Sequence, residues 1–247
     1  MPEGPSLVMF REDFLSFKGK KVVEASGNAK AIDHYRMKGR TLKDIRTFGK
    51  HMLFCFGEDL TLRIHFLMFG TYRIDEVKEN RPEVIHLKFK GGRALNFYTC
   101  SVRYIEQPLD TIYDWASDVL NPAWDPRKAL KKLKALPPDL MAGDVLLDQD
   151  IFAGVGNIIK NEVLYITGIR PMSSIGHLPL KKQKELIKVA VEYTCDFLKW
   201  RREGTLRSHW QVHRQKLCPI HGTKLCKEHI GEKQRQSYWC ETCQMQY

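Results

Sequence analysis

Partway along the 247-residue chain the spacing of its apolar residues changes period, and this switch limits the fold more than any other feature. The runs VVEAS, HMLFCF, LTLRIHFLMF, TYRID, VIHLKF and ALNFYT are rich in β-branched and aromatic residues. Gly, Asn, Asp and Pro separate them, as in antiparallel strands of a sandwich or barrel. After about Asn121 the pattern becomes helical. Asp125-Pro126 starts a basic segment, RKALKKLKAL, and LLDQDIFAGVGNIIKNEVLYITGI reads as two helices around the turn Gly154-Val155-Gly156-Asn157. A longer helix runs from about Leu180 to Trp200, with Leu186, Val189, Ala190, Tyr193 and Phe197 on one stripe, and ends at Gly204. Ahead of the strands, apolar residues from Leu7 to Phe17 suit an amphipathic helix over about Pro5–Phe17, closed by Gly19. The expected class is α+β: a β-rich N-terminal domain with a leading helix over residues 1–120, a helical domain over 121–206, and a Cys/His-bearing tail over 207–247.

The tail carries the strongest local signal. Cys218-Pro-Ile-His221 and Cys240-Glu-Thr-Cys243 are two ligand pairs whose two-residue spacers let both side chains of a pair reach one tetrahedral ion, and the 18 residues between them suit a β-hairpin. Cys226 and His229 have the same spacing. Gly222, however, supplies the positive φ that a knuckle turn needs after His221, and Cys226-Lys-Glu-His229 has no such residue, so the outer four are preferred as ligands of one structural Zn2+. In the other reading Cys226 and His229 are ordinary hairpin residues. Cysteines crowded at one end fit a metal site better than a disulfide framework.

Forty Lys and Arg against 29 Asp and Glu leave a formal charge of +11, which favours a polyanionic partner, nucleic acid before an anionic membrane surface. Residues 199–247 hold ten of those cations against four Glu, so a basic hairpin is expected to engage phosphates. No apolar run approaches the roughly 20 residues that span a bilayer, and MPEGPSLVMFRED lacks the layout of a signal peptide. An intracellular monomer, cytoplasmic or nucleoid-associated (nuclear in a eukaryote), is expected.

Removal of Met1, which the small Pro2 permits, would expose a secondary amine less basic than a lysine. Such an amine can attack a sugar C1′ or an aldehyde and form an iminium, which acidifies the neighbouring carbon. Glu3 could carry the proton. Alone, each has an ordinary alternative: Glu3 as a solvated helix-dipole partner, and Lys50 of Gly49-Lys50-His51 as a surface lysine at a strand edge.

Taken together, MPEGP, FGKHMLFCFGEDLTLRIH, LLDQDIFAGVGN and CPIHGTKL…RQSYWCETCQ resemble, in order and over nearly the whole chain, the formamidopyrimidine-DNA glycosylase and endonuclease VIII family. The resemblance implies a β-sandwich with an N-terminal helix, a helix-two-turn-helix domain and a zinc-finger β-hairpin, with DNA bound in the cleft between the domains. It makes Pro2 the nucleophile, Glu3 the proton donor and acceptor, and Lys50 an essential charge near the lesion. Asn157 and Arg235 become phosphate clamps. A base must leave the duplex before its glycosidic bond can be attacked. His65-Phe66-Leu67-Met68-Phe69-Gly70 matches the loop that fills the resulting void, so Leu67, Met68 and Phe69 are wedge candidates, the alternative being ordinary strand core.

Three features depart from the family pattern. Ser6 stands where many relatives carry a glutamate, and His221 replaces the more usual cysteine. Between Leu206 and Val212 the chain is much shorter than in the 8-oxoguanine enzymes, which points to the endonuclease VIII side. The expected function is a bifunctional DNA glycosylase and abasic-site lyase of base excision repair. It would remove oxidised pyrimidines from double-stranded DNA through a Schiff base on Pro2 and cut by β,δ-elimination. The rivals are a non-catalytic zinc-hairpin protein that recognises damaged or bent DNA, and a monofunctional glycosylase using an activated water.

Overall fold

The computed structural model describes residues 2–247, and its chain forms two compact units, the first ending at Tyr113 and the second spanning Asp114–Tyr247. The first begins with α1 (Gly4–Phe14), followed by a single tight turn of helix over Leu15–Phe17 where a longer helix was expected. Eight strands follow: β1 (Val22–Ser26), β2 (Asp44–Phe48), β3 (His51–Cys55), β4 (Thr61–His65), β5 (Thr71–Ile74), β6 (Ile85–Phe89), β7 (Ala94–Tyr98) and β8 (Ser101–Ile105), with the short α2 (Leu109–Ile112) closing the unit. They make two four-stranded antiparallel sheets, ordered β1-β6-β7-β5 and β2-β3-β4-β8. The expected sandwich is present. Its core joins residues of both sheets to α1: Phe14 packs on Phe54 of one sheet and Phe97 of the other at ring separations of 5.5 and 5.6 Å. Two strands, β2 and β8, were not anticipated, because Asp44, Arg46, Ser101 and Arg103 interrupt their apolar pattern.

The run LTLRIHFLMF is strand only as far as His65. The amide of Gly70 donates to the Phe66 carbonyl at 2.7 Å, and Leu67 adopts φ of 50°, so the chain doubles back in a tight turn. A side chain on Gly70 would collide with the Phe66 backbone, so the turn needs glycine there.

The second unit contains α3 (Pro126–Lys134), α4 (Ala142–Val145), α5 (Asn157–Ile166), α6 (Leu180–Arg202) and a hairpin of β9 (Cys226–Ile230) and β10 (Arg235–Trp239). Asp125 caps α3 by accepting from the Arg127 amide at 2.8 Å. Leu186, Ala190, Tyr193 and Phe197 of α6 share one core with Ile159, Val163 and Leu164 of α5. The expected first helix of the LLDQDIFAGVGN segment is absent: the single turn α4 ends at Val145, just ahead of it, and from Leu146 to Gly156 the chain runs through turns held by their own hydrogen bonds.

The segment leading into the hairpin is tied to α5 by one carboxylate. Fully buried Glu162 accepts from the amides of Gln211, Val212 and His213 at 2.8, 3.1 and 2.7 Å, using both oxygens. Replacing it by glutamine turns one acceptor into an NH2 group facing a backbone N–H, and orphaning buried donors costs about 1–3 kcal/mol each. Glu162→Gln should therefore lose about 2–3 kcal/mol of stability, read as a lowered melting temperature, with little change in far-UV circular dichroism.

Candidate active site and metal centre

Pro2 is half-buried directly ahead of α1, and Glu3, only 4% exposed, is the residue from which the helix springs, its carbonyl accepting from the Ser6 amide at 2.8 Å. The positive end of the helix dipole thus faces both residues. The loss of Met1 lies outside the described residues. Lys50 sits in the turn between β2 and β3, where Gly49 has φ of 54°. Helix α1 packs on these two strands. Near its C-terminal end the Arg11 guanidinium donates to the Ile45 carbonyl at 2.6 Å, and Lys18 just beyond it reaches Asp44 at 2.7 Å. Those two tethers hold the C-terminal part of the helix against the start of β2.

Beside Lys50 the outer face of the second sheet gathers positive charge. His51 pairs with His65, their rings 5.6 Å apart, and Arg63 lies opposite Arg103. Burial, reinforced by the charges of Arg63, His65, Arg103 and Lys50, pushes His51 down to about 3, and burial likewise lowers His65. His51 is therefore neutral, with its Nδ1 3.2 Å from the hydroxyl of Tyr113, whose ring packs on Phe48. The resulting surface suits an anion. This cluster was missed from sequence because it exists only through the register of β3, β4 and β8.

The turn after β4 carries Leu67, Met68 and Phe69, 42%, 54% and 70% exposed, while Phe66 beneath them is buried against Phe10 at 5.2 Å. They are an exposed apolar tip rather than strand core.

In the second unit Asn157 occupies the first position of α5, with Gly156 as the capping residue. Its amide donates to the Gln236 carbonyl at 2.9 Å, and its buried Oδ1 has no partner among the described residues. Asn157 is thereby fixed beside β10, next to Arg235 at that strand's start. Arg235 makes no ion pair among the described residues.

Cys218, His221, Cys240 and Cys243 converge, their ligand atoms all within 4.8 Å of one another. The Cys218 and Cys243 sulfurs are 3.6 Å apart and the His221 Nδ1 lies 3.1 Å from Cys243. Tetrahedral zinc with Zn–S near 2.3 Å has ligand edges of about 3.8 Å, so the donor set fits. Although burial opposes it, the Tyr165 hydroxyl and the amides of His221 and Ile220 bring Cys218 down to about 6. Burial also opposes ionisation of Cys240, but nearby amides and Thr223 lower it, whereas burial holds Cys243 up at about 11. Bound metal would ionise all three thiols. Cys226 faces Trp239 across the hairpin, and His229 contacts the Gln234 carbonyl, so neither joins the cluster.

Comparison with known proteins agrees with this geometry. Residues 1–100 match the formamidopyrimidine-DNA glycosylase N-terminal domain. The chain is 26% identical to endonuclease 8-like 2 of Bos taurus, the alignment covering 99% of this chain and 96% of that one. It belongs to the formamidopyrimidine-DNA glycosylase and endonuclease VIII family. A probable endonuclease 8 of Streptomyces coelicolor is 28% identical over 83% of this chain and 80% of its own length. The Lactococcus lactis formamidopyrimidine-DNA glycosylase, solved non-covalently bound to DNA containing an abasic site, has the same fold: TM-score 0.84 and 21% identity, covering 99% of this chain and all of that one. Family members are DNA glycosylases with abasic-site lyase activity, and this one is a glycosylase of base excision repair. None of the glycosylase's described helices is long and apolar enough to cross a membrane.

A histidine with a depressed folded value stabilises the protein above its unfolded value, and that stability is lost as pH falls toward the folded value. For His51 the window runs from 6.5 down to about 3. Acidifying the glycosylase from pH 6.5 to 4.5 should lower its melting temperature, and His51→Gln, which cannot be protonated, should show a visibly shallower decline.

Proposed function

We propose that this glycosylase removes oxidised pyrimidines, such as thymine glycol or 5-hydroxyuracil, from double-stranded DNA and then cuts the strand at the abasic site. The observation that carries the reading is Pro2 and Glu3 at the positive end of α1, a helix that packs on the two strands joined by the lysine-bearing turn. With Met1 removed, the Pro2 nitrogen attacks C1′. The base leaves with its bonding electrons and a proton, and an iminium forms between Pro2 and the opened sugar. Glu3 delivers and removes protons at the sugar, and loss of one from C2′ expels the 3′-phosphate. A second elimination expels the 5′-phosphate. Lys50 supplies positive charge to the lesion's phosphate or ring oxygen.

Asn157 and Arg235 are proposed to clamp phosphates around the extruded nucleotide, and Leu67, Met68 and Phe69 to fill the space it leaves. The exposure of all three at the tip of a tight turn supports that role. The preference for pyrimidines rests on the short segment after Leu206, which forms only a single helical turn, Leu206–His209. The Cys3His cluster is proposed to hold one structural Zn2+, keeping the hairpin folded and taking no part in the chemistry. The substrate implies that the protein works where cellular DNA is, and it is proposed to act as a monomer with three functional segments, 1–120, 121–206 and 207–247.

Borohydride added during turnover of an oxidised-pyrimidine duplex should trap a covalent adduct at Pro2. Pro2→Gly should lose most of this adduct, and Glu3→Gln should slow base release by about 10²–10⁴-fold, as expected for a lost general acid. Base release without an adduct would indicate the activated-water mechanism, and binding without release would indicate a damage-recognition protein. A wedge matters only where a stack must be filled. Met68→Ala combined with Phe69→Ala should therefore slow base release from duplex DNA by about tenfold or more while leaving single-stranded substrate nearly unaffected.

A further inference from the structure

Three thiolates and a neutral imidazole around a divalent ion leave a net charge of −1. Here two of the thiolates are sealed from water, Cys218 being 2% and Cys240 1% exposed, while Cys243 is half-buried and His221 exposed. A buried negative charge requires hydrogen-bond donors. The backbone supplies some, from the turns after Cys218 and Cys240. Two side-chain hydroxyls complete the set. Thr223, within the hairpin segment, places Oγ1 3.7 Å from the Cys240 sulfur. The other comes from outside it: the hydroxyl of Tyr165, on α5, lies 3.3 Å from the Cys218 sulfur and 3.6 Å from that of Cys243. Its ring is buried with Val212, Leu225 and Tyr238, which aims the hydroxyl at the gap between the two sulfurs.

We propose that Tyr165 is a positioning residue of the metal centre: its hydroxyl donates one hydrogen bond, shared between the Cys218 and Cys243 thiolates, and so holds the ion from helix α5. A phenol can serve because metal-bound thiolates are acceptors, leaving the hydroxyl to donate. The consequence reaches beyond the ion. Tyr165 lies eight residues along α5 from Asn157, about 12 Å at 1.5 Å per residue. Asn157 grips the Gln236 carbonyl near the other end of the helix. The hairpin is thus fastened to α5 by Asn157, Lys160 and Asn161 toward one end and by Tyr165 toward the other, and only the last of these ties depends on the metal's charge. The inference concerns the metal centre alone and does not rest on base excision, so it is tested without DNA.

The test uses the full-length chain with Tyr165→Phe, which keeps the ring packing and removes only the hydroxyl. Competition with a chelator should show zinc held about 10–100-fold more weakly, the range for lost outer-shell partners. In the Co2+-substituted protein the sulfur-to-cobalt charge-transfer band should move to longer wavelength, because an unprotected thiolate gives up its electron more readily. A loss of packing alone would not move that band while the metal-loaded melting temperature stays near wild type. A 2,3-difluorotyrosine at position 165, a stronger donor of nearly the same shape, should shift the band to shorter wavelength and also covers the case in which the phenylalanine variant fails to fold. Zinc affinity within twofold of wild type with an unmoved band in Tyr165→Phe, or no shift with the fluorinated residue, would overturn the proposal.

Discussion

Helix α5 is the strut on which the second unit is assembled, because one of its faces is polar, buried and matched group by group to the chain packed against it. Asn157 and Asn161 donate to the Gln236 carbonyl, Lys160 donates to the Ser237 hydroxyl at 2.6 Å, Glu162 gathers three successive amides, and Tyr165 meets the sulfurs of Cys218 and Cys243. A ten-residue helix with Lys, Asn and Glu in its buried middle would be costly if any of these partners were missing. A small hairpin, with too little apolar surface for a core of its own, is held instead by directional bonds and by the convergence of its Cys and His residues. Directional bonds also fix register, so Asn157 at the head of the helix and Arg235 at the head of β10 come to lie side by side.

The first unit solves its assembly problem by other means. Its sheets carry apolar inner faces that close over α1, and few polar ties are needed to orient the helix. The cost of that economy appears on the outer face of the second sheet, where Arg63 faces Arg103 and two histidines face each other with no carboxylate among the groups that perturb them. Like charges held in register are destabilising unless an anion is present, so this face stores electrostatic strain that a phosphate backbone would relieve.

The exposed tip after β4 follows the same logic of local cost and use. Three large apolar side chains are kept in water by a turn in which Leu67 accepts a positive φ and Gly70 admits the Phe66 backbone. Read as a string, LTLRIHFLMF is one long strand, since nothing in its composition marks where the chain must double back. Strands β2 and β8 were illegible for the converse reason. Their charged outer residues look like loop, and only pairing with β3 and β4 makes strands of them.

The sequence by itself determined the α+β class, the sandwich ahead of the helical half and the Cys and His residues of the tail that could ligate a metal. Period, turn chemistry and ligand spacing are local properties that need no knowledge of distant contacts. It also singled out Pro2, Glu3 and Lys50 as candidates, through motif order. What only the tertiary structure decided were the relations between residues far apart in the chain: the packing of α1 on the β2–β3 hairpin, the exclusion of Cys226 and His229 from the Cys/His cluster, the neutral His51 among cations, and the Tyr165 hydroxyl at the Cys218 and Cys243 sulfurs. Each depends on strand register or on the rotation of a helix against its neighbour, which are set by packing over the whole unit and leave no periodic trace in the chain.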